Sequence, residues 1–285
     1  MSYQTPAPVS RTTIPQIRAS KGEKKLVLLT AYTAPMAQLL DAHCDMLMVG
    51  DSLGMVVYGM DSTLPVTLDM MIAHGVAVVR ASARASVVID MPFGSYQASP
   101  EQAFTNAARV IKETGAASVK MEGGAELAST IQFLTGRAIP VMAHVGLMPQ
   151  HSNSIGGLKT QGKEAASRRA ILSNAKAAAE AGAYAVVLEG IVESLAEDIT
   201  RAIAIPTIGI GASPTCDGQV LVVDDMLGMF ERSPRFVKKY ADLRGIITAA
   251  ATSYAKEVRS GAFPTEAQCY GVVQAVPAKA KRKTK

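Results

Sequence analysis

The chain has 285 residues, 48% of them apolar and 19% charged, which excludes a disordered chain and allows one large α/β domain or two small ones. Aromatic residues are only 5% and tryptophan is absent, against a stacking platform for single-stranded nucleic acid, and no run of 18 apolar residues is present to span a membrane. The net charge of +5 belongs to the terminal AKAKRKTK, because without its five basic residues the chain carries 24 charges of each sign.

That terminal run reads as a solvated tail, so neither nucleic acid nor a membrane is expected as a partner. The cysteines, Cys44, Cys216 and Cys269, are far apart and form no CxxC or Cys/His cluster. They fit a reducing cytoplasm and exclude a thiolate zinc site. The opening MSYQTPAPVSRTTIP has no apolar signal-peptide core, so a cytoplasmic protein is expected.

In chain order, TTIPQIRASKG reads as a short helix ahead of the first strand, placed to plug the bottom of a barrel. The strand patterns KLVLLTAY (25–32), DMLMVGD (45–51) and SVVIDMP (86–92) follow. SPEQAFTNAARVIKETG has Ser99 as N-cap, Pro100 at the first helical position and Gly115 as terminator. Next come the strands SVKMEGG (118–124) and IPVMAHVG (139–146). The stretch LMPQHSNSIGGLKTQGK (147–163) has no periodicity and is long for a connection, so it reads as a lid or binding loop.

An alanine-rich helix ends at Gly182 and leads into YAVVLEG (184–190) and the helix VESLAEDITRAI. IPTIGIGA (205–212), the weaker GQVLVVDD (218–225) and the helix ADLRGIITAAATSYAKEVRSG complete the set. The GIGAS within it reads either as a phosphate-type glycine loop or as a tight turn admitting a close approach. Strands apolar on both faces alternating with helices mean a parallel sheet. Eight such units predict a (β/α)8 TIM barrel with an extra N-terminal helix. The expected division is an arm and short helix over 1–23, the catalytic barrel over 24–265, and a basic, disordered tail over 266–285.

Four strand patterns end on a carboxylate: Asp51, Asp90, Glu122 and Glu189. A barrel gathers its strand ends at one mouth, where such folds perform chemistry. Lys120 lies two residues before Glu122 and shares its side of the strand, and His144 ends the next strand. A single strand-end carboxylate is more often a cap or a salt-bridge partner; four on one rim are not. One lysine cannot balance them, and oxygen ligands without cysteine suit Mg2+ or Mn2+. His144 reads equally as a site residue or a satisfied core histidine. His43, His74 and His151 read as structural.

These stretches make the chain similar to the ketopantoate hydroxymethyltransferase (3-methyl-2-oxobutanoate hydroxymethyltransferase) family. LTAY, VGDSLGMVVYGMDSTLPVTLDMMIAHG, VVIDMPFGSYQ, SVKMEGG, HVGLMPQ, GGLKTQGK, LEGI and IGIGASPTCDGQVLVVDDMLGM carry the resemblance, from about residue 12 to 265. It implies a (β/α)8 barrel, Mg2+ and, commonly, a cytoplasmic homodecamer. It also implies transfer of a one-carbon unit from 5,10-methylenetetrahydrofolate to 3-methyl-2-oxobutanoate, giving 2-dehydropantoate for pantothenate and coenzyme A. By motif position Asp51 and Asp90 carry over as metal ligands with Glu122 at the metal. Asp51, Ser52, Asp90 and Lys120 carry over as substrate contacts, and Glu189 as the proton acceptor; His144, from its place at a strand end, is expected as a further substrate contact. The rival readings are a Mg2+-dependent oxo-acid lyase or phosphoenolpyruvate mutase-like barrel, and a non-catalytic oxo-acid-binding barrel. The VGDSLG context and the lack of a KKCGH-like loop weigh against the first of these.

Overall fold

The computed structural model describes residues 10–271 except residue 158. The terminal run 278–285, and most of the tail expected from 266, lie outside the described residues. Eight strands close a barrel in chain order, β1 to β8, every neighbouring pair parallel and β8 pairing back to β1. The elements run α1 (Ile14–Ala19), β1 (Leu26–Thr30), α2 (Ala34–Leu40), β2 (Met46–Val49), α3 (Leu53–Val56), α4 (Leu68–Ala81), β3 (Ser86–Asp90) and α5 (Pro100–Thr114). They continue with β4 (Ser118–Glu122), α6 (Ala128–Thr135), β5 (Val141–Gly146), α7 (Ser152–Ile155), α8 (Ala165–Glu180) and β6 (Ala185–Glu189). The last are α9 (Glu193–Ala202), β7 (Thr207–Ile210), β8 (Gly218–Leu221), α10 (Val223–Met226) and α11 (Leu243–Ser260). All eight expected strands form, each two to four residues shorter than its apolar pattern.

The strands are apolar on both faces because each face has its own core. Leu28, Met46, Met48, Val88, Met142, Val187, Ile208 and Val220 fill the inside of the barrel. Leu47, Val87, Ile89, Val119, Val141, Val186 and Leu188 pack outward against the helices. The expected plug is present: Ile17 of α1 is fully buried in the interior cluster, and Ile14 packs against it. Thr13 holds α1 in place with a capping box to Gln16. The α5 signals also hold: Ser99 Oγ accepts from Gln102 N–H, and Gly115 ends the helix with φ at 74°.

GIGAS is a tight turn. Gly211 has φ of 59°, and a Cβ there would lie 2.8 Å from Phe236 Cδ1. The turn is anchored below by Asp217, which accepts from Lys21 Nζ (2.9 Å), Gly22 N–H (3.0 Å), Thr207 N–H (2.8 Å) and Thr207 Oγ1 (3.1 Å). Burial opposes the Asp217 charge, but Lys21 and these N–H donors outweigh it and hold its carboxyl below the usual range. A depressed folded pKa adds stability that is complete above the unfolded value of about 3.9 and is lost as pH falls through it. Asp217→Asn is therefore expected to cost about 2 kcal/mol in urea unfolding at pH 7, the order of hydrogen bonds to a charged group, and less at pH 3.5. An equal cost at both values contradicts this assignment.

The outer layer departs from eight regular βα units. No helix joins β7 to β8, only the turn at 211–217. On the outer face there, Val27 of β1 is 47% exposed and Gln219 of β8 is exposed. The 18-residue α11 buries none of its residues, and Ile246, Ile247, Tyr254 and Val258 all face solvent.

Candidate active site

The mouth of the barrel is built by alternation. Asp90, Lys120, Glu122, His144 and Glu189 fall on the inward-facing positions of β3 to β6, in register with the interior methionines and valines. Asp90 lies opposite Lys120, Glu122 opposite His144, and Gly146 opposite Glu189. Asp51 enters one residue beyond Gly50, where the backbone turns over the pocket; a Cβ on Gly50 would lie 2.8 Å from Ser52 Oγ. Ser52 Oγ in turn meets Tyr32 OH at 2.8 Å. All seven residues expected from the sequence are thus gathered at one rim, and all but Ser52 and Glu189 are fully buried.

Their contacts form one network. Asp90 Oδ2 accepts from Asp51 N–H at 3.1 Å and pairs with Lys120 Nζ at 3.0 Å. Glu122 Oε1 stands 3.5 Å from His144 Nδ1 and 4.0 Å from Lys120 Nζ, and Oε2 accepts from Gln150 N–H at 3.0 Å. His144 Nε2 lies 3.3 Å from Glu189 Oε2, near enough to pair but not aligned as a hydrogen bond. Gln150 Nε2 donates to Asp51 Oδ2 at 2.9 Å.

Charge decides the protonation states. Burial drives the Asp51 carboxyl up, Asp90 and Glu122 drive it further, and it reaches about 8. Asp90 is raised by burial, with Lys120 opposing. Glu122 is lowered, since His144, Lys120 and the Gln150 N–H outweigh its burial. Burial and Lys120 press His144 down, but Glu122 and Glu189 prevail and raise it to about 9. The two carboxylates thus favour the imidazolium form of His144. Its Nδ1, 3.3 Å from Lys120 Nζ, then has no lone pair to accept with, and the two cations are neighbours only because both face Glu122.

Four carboxylates against Lys120 and His144 leave two negative charges when all are ionised, the complement of a divalent cation. Asp90 Oδ1 is buried with no hydrogen-bond partner, and Gln150 takes only one oxygen of Asp51. These two aspartates fit a hard cation. Among the described residues no three of His, Cys, Asp and Glu already stand as a coordination shell, so substrate or water oxygens would complete it. Glu122 differs from the two aspartates in having both oxygens faced by protein donors.

Sequence reasoning did not single out Gln150 or Tyr96. Tyr96 OH lies 2.7 Å from Gln150 Oε1 and 3.0 Å from Glu122 O. Both residues come from loops, where no periodicity marks an inward position; the only signal was the length of the 147–163 loop. Beside the network a groove of about 1340 Å³ opens from Leu147, Glu189 and Gly190 past Gly211 and Phe236 to the uncovered face of β8 and β1. Glu189, 19% exposed, lines this groove, whereas Asp51, Asp90, Lys120 and Glu122 are not part of its lining.

The ketopantoate hydroxymethyltransferase family model matches residues 11–266. The 3-methyl-2-oxobutanoate hydroxymethyltransferase of Sphingopyxis alaskensis is 60% identical over 266 residues, covering 93% of this chain and 93% of its own. That of Paramagnetospirillum magneticum is 61% identical over 267 residues, covering 93% and 97%. Among solved structures, phosphonopyruvate hydrolase superposes with a TM-score of 0.59 at 14% identity over 92% of each chain. At that identity the likeness is one of fold alone.

Proposed function

The chain belongs to the ketopantoate hydroxymethyltransferase family, and from that membership we propose that it transfers a hydroxymethyl group from 5,10-methylenetetrahydrofolate to 3-methyl-2-oxobutanoate, giving 2-dehydropantoate. The observation that carries this reading is the mouth network itself: two aspartates with free oxygens, a buried lysine and a half-buried glutamate held by a histidine. We assign Asp51 and Asp90 as ligands of a divalent cation, Mg2+ by the family resemblance, with Glu122 bracing Lys120 and His144. When bound, the cation supplies positive charge for the enolate oxygen that develops as C3 loses its proton.

Lys120 uses one of its three N–H donors on Asp90 and offers the others to the substrate carboxylate. Ser52, oriented by Tyr32, supplies a hydroxyl at the same end. Glu189 takes the C3 proton: His144 holds its Oε2 and leaves the other oxygen for the substrate. The carbanion then attacks the methylene carbon of the folate. Both C–N bonds of the methylene bridge break, water supplies the hydroxyl oxygen of the product, and the folate leaves as tetrahydrofolate. We place its ring in the groove between Leu147, Glu189 and Gly211. The direct test is an assay with both substrates and Mg2+. Formation of 2-dehydropantoate that stops in excess EDTA is expected. Cleavage of the oxo acid without folate returns the lyase reading instead. Asp51→Asn is expected to weaken Mn2+ binding and to lower turnover together, because an amide is a poorer ligand for a hard cation; unaltered Mn2+ binding removes Asp51 from the ligand set.

Among the described residues no helix is long and apolar enough to cross a membrane; the cytoplasmic setting is proposed from the family resemblance. Residues 24–265 are taken as the catalytic barrel, with an arm over 1–23 and a tail over 266–285. The protein is proposed to be a homo-oligomer, a decamer by the family resemblance. The apolar positions of α11 are left exposed among the described residues. A second copy supplies cover for them, since each copy also offers the bare β8–β1 face. Ending the chain at residue 242 is expected to give a smaller species in sedimentation velocity. An unchanged sedimentation coefficient rules out α11 as an assembly element.

A further inference from the structure

Gln150 is buried at the centre of the mouth, 3% exposed, with no part in the scheme above. Pro149 opens a single 3₁₀ turn after β5, and that turn carries Gln150 inward. Its side-chain amide and its backbone N–H are all engaged. Nε2 donates to Asp51 Oδ2 at 2.9 Å and to Met91 O at 3.0 Å. Oε1 accepts from Tyr96 OH at 2.7 Å and from Gln97 Nε2 at 3.2 Å. The backbone N–H donates to Glu122 Oε2 at 3.0 Å. The orientation of the amide is determined by its neighbours: a carbonyl and a carboxylate oxygen on one side only accept, so that side must be the NH₂.

We propose that Gln150 is a positioning residue for the cation site, through which the 147–163 loop sets the pose of Asp51 and Glu122. The inference rests on the metal reading above. By occupying Oδ2, the amide leaves Asp51 a single oxygen in a set direction, which suits a small cation of strict octahedral geometry. By holding Glu122 Oε2, the neighbouring N–H turns Oε1 toward Lys120 and His144. The loop, the strand-end aspartate and the two cations are thus fixed by one residue. A glutamine that merely anchored the loop would need none of the contacts to Asp51 or Glu122. Groups that hydrogen-bond a ligating carboxylate are worth about tenfold to a hundredfold in metal affinity.

The test is Mn2+ binding to the full-length protein by electron paramagnetic resonance, with unfolding followed in parallel. Gln150→Met keeps length and bulk but removes the amide. It is expected to weaken Mn2+ about tenfold or more while the protein stays folded, and saturating metal is expected to restore most of the turnover. Tyr96→Phe frees one side of Gln150 Oε1 without touching Asp51, and a weakening of a few-fold in the same direction is expected. Mn2+ affinity within twofold of the parent in both variants, or loss of turnover that saturating metal does not restore, overturns the inference. If Gln150→Met fails to fold, Tyr96→Phe decides it. A parent that binds no Mn2+ overturns the metal reading and this inference together, whereas a binding parent with unaltered variants overturns this inference alone.

Discussion

Glu189→Gln is expected to slow exchange of the C3 hydrogen of 3-methyl-2-oxobutanoate in D2O by about 10²–10⁴, the usual contribution of a positioned base. Exchange isolates the proton step, because enolate formation precedes attack on the folate and should proceed with Mg2+ alone. Glutamine keeps the shape of the side chain and a carbonyl oxygen near His144 Nε2, now 3.3 Å from Glu189 Oε2, but cannot accept a proton. The NMR signal of the C3 hydrogen over time reports the rate. Exchange in the variant as fast as in the parent would transfer the base role to another group, His144 being nearest. In the parent His144 is a poor base at neutral pH, because Glu122 and Glu189 raise it despite burial and the Lys120 charge; in the variant Glu122 alone does so.

Lys120→Met is expected to destabilise the metal-free protein by about 3–5 kcal/mol, the cost of leaving a buried charge without its partner. The methionine fills the volume, so the loss reports charge and not a cavity. Asp90 Oδ2 keeps only the Asp51 N–H, and Asp90 Oδ1 already has no partner. Out of a total stability of about 5–15 kcal/mol this is a large share. Its pH dependence has a definite sign. Burial, Asp90 and Glu122 already raise Asp51 to about 8, while Lys120 opposes them. A carboxyl raised in the folded state holds its proton more tightly there than in the unfolded chain, so stability falls as pH rises from about 4 through the folded pKa. Without Lys120 that fall steepens, and the loss should be greater at pH 8 than at pH 6 in urea unfolding with EDTA. A loss below about 1 kcal/mol at pH 8 would show that the site does not depend on Lys120 for its charge balance. The sequence-level view of Lys120 as a contact for the substrate carboxylate is then only half of its role: it also keeps three carboxylates together before any substrate arrives.

The amino-acid sequence by itself determined the eight strands, the plug helix, the cap residues Ser99 and Gly115, the shared strand face of Lys120 and Glu122, and the strand-end places of Asp90 and His144. These are local properties. A strand alternates its side chains every residue, so a charged residue two positions from an apolar interior residue must share its face, whatever the rest of the chain does. Only the tertiary structure decided what those side chains meet. That His144 bridges Glu122 and Glu189, which favour its imidazolium form, depends on β4, β5 and β6 lying side by side. That Gln150 and Tyr96 reach the carboxylates depends on loops whose backbone follows no repeating pattern. The helical pattern of 240–261 was equally legible, yet it says only that a helix forms and which residues are apolar. Whether that face is covered by its own barrel or left outward depends on the path of residues 227–242, which is set by long-range packing and not by local periodicity.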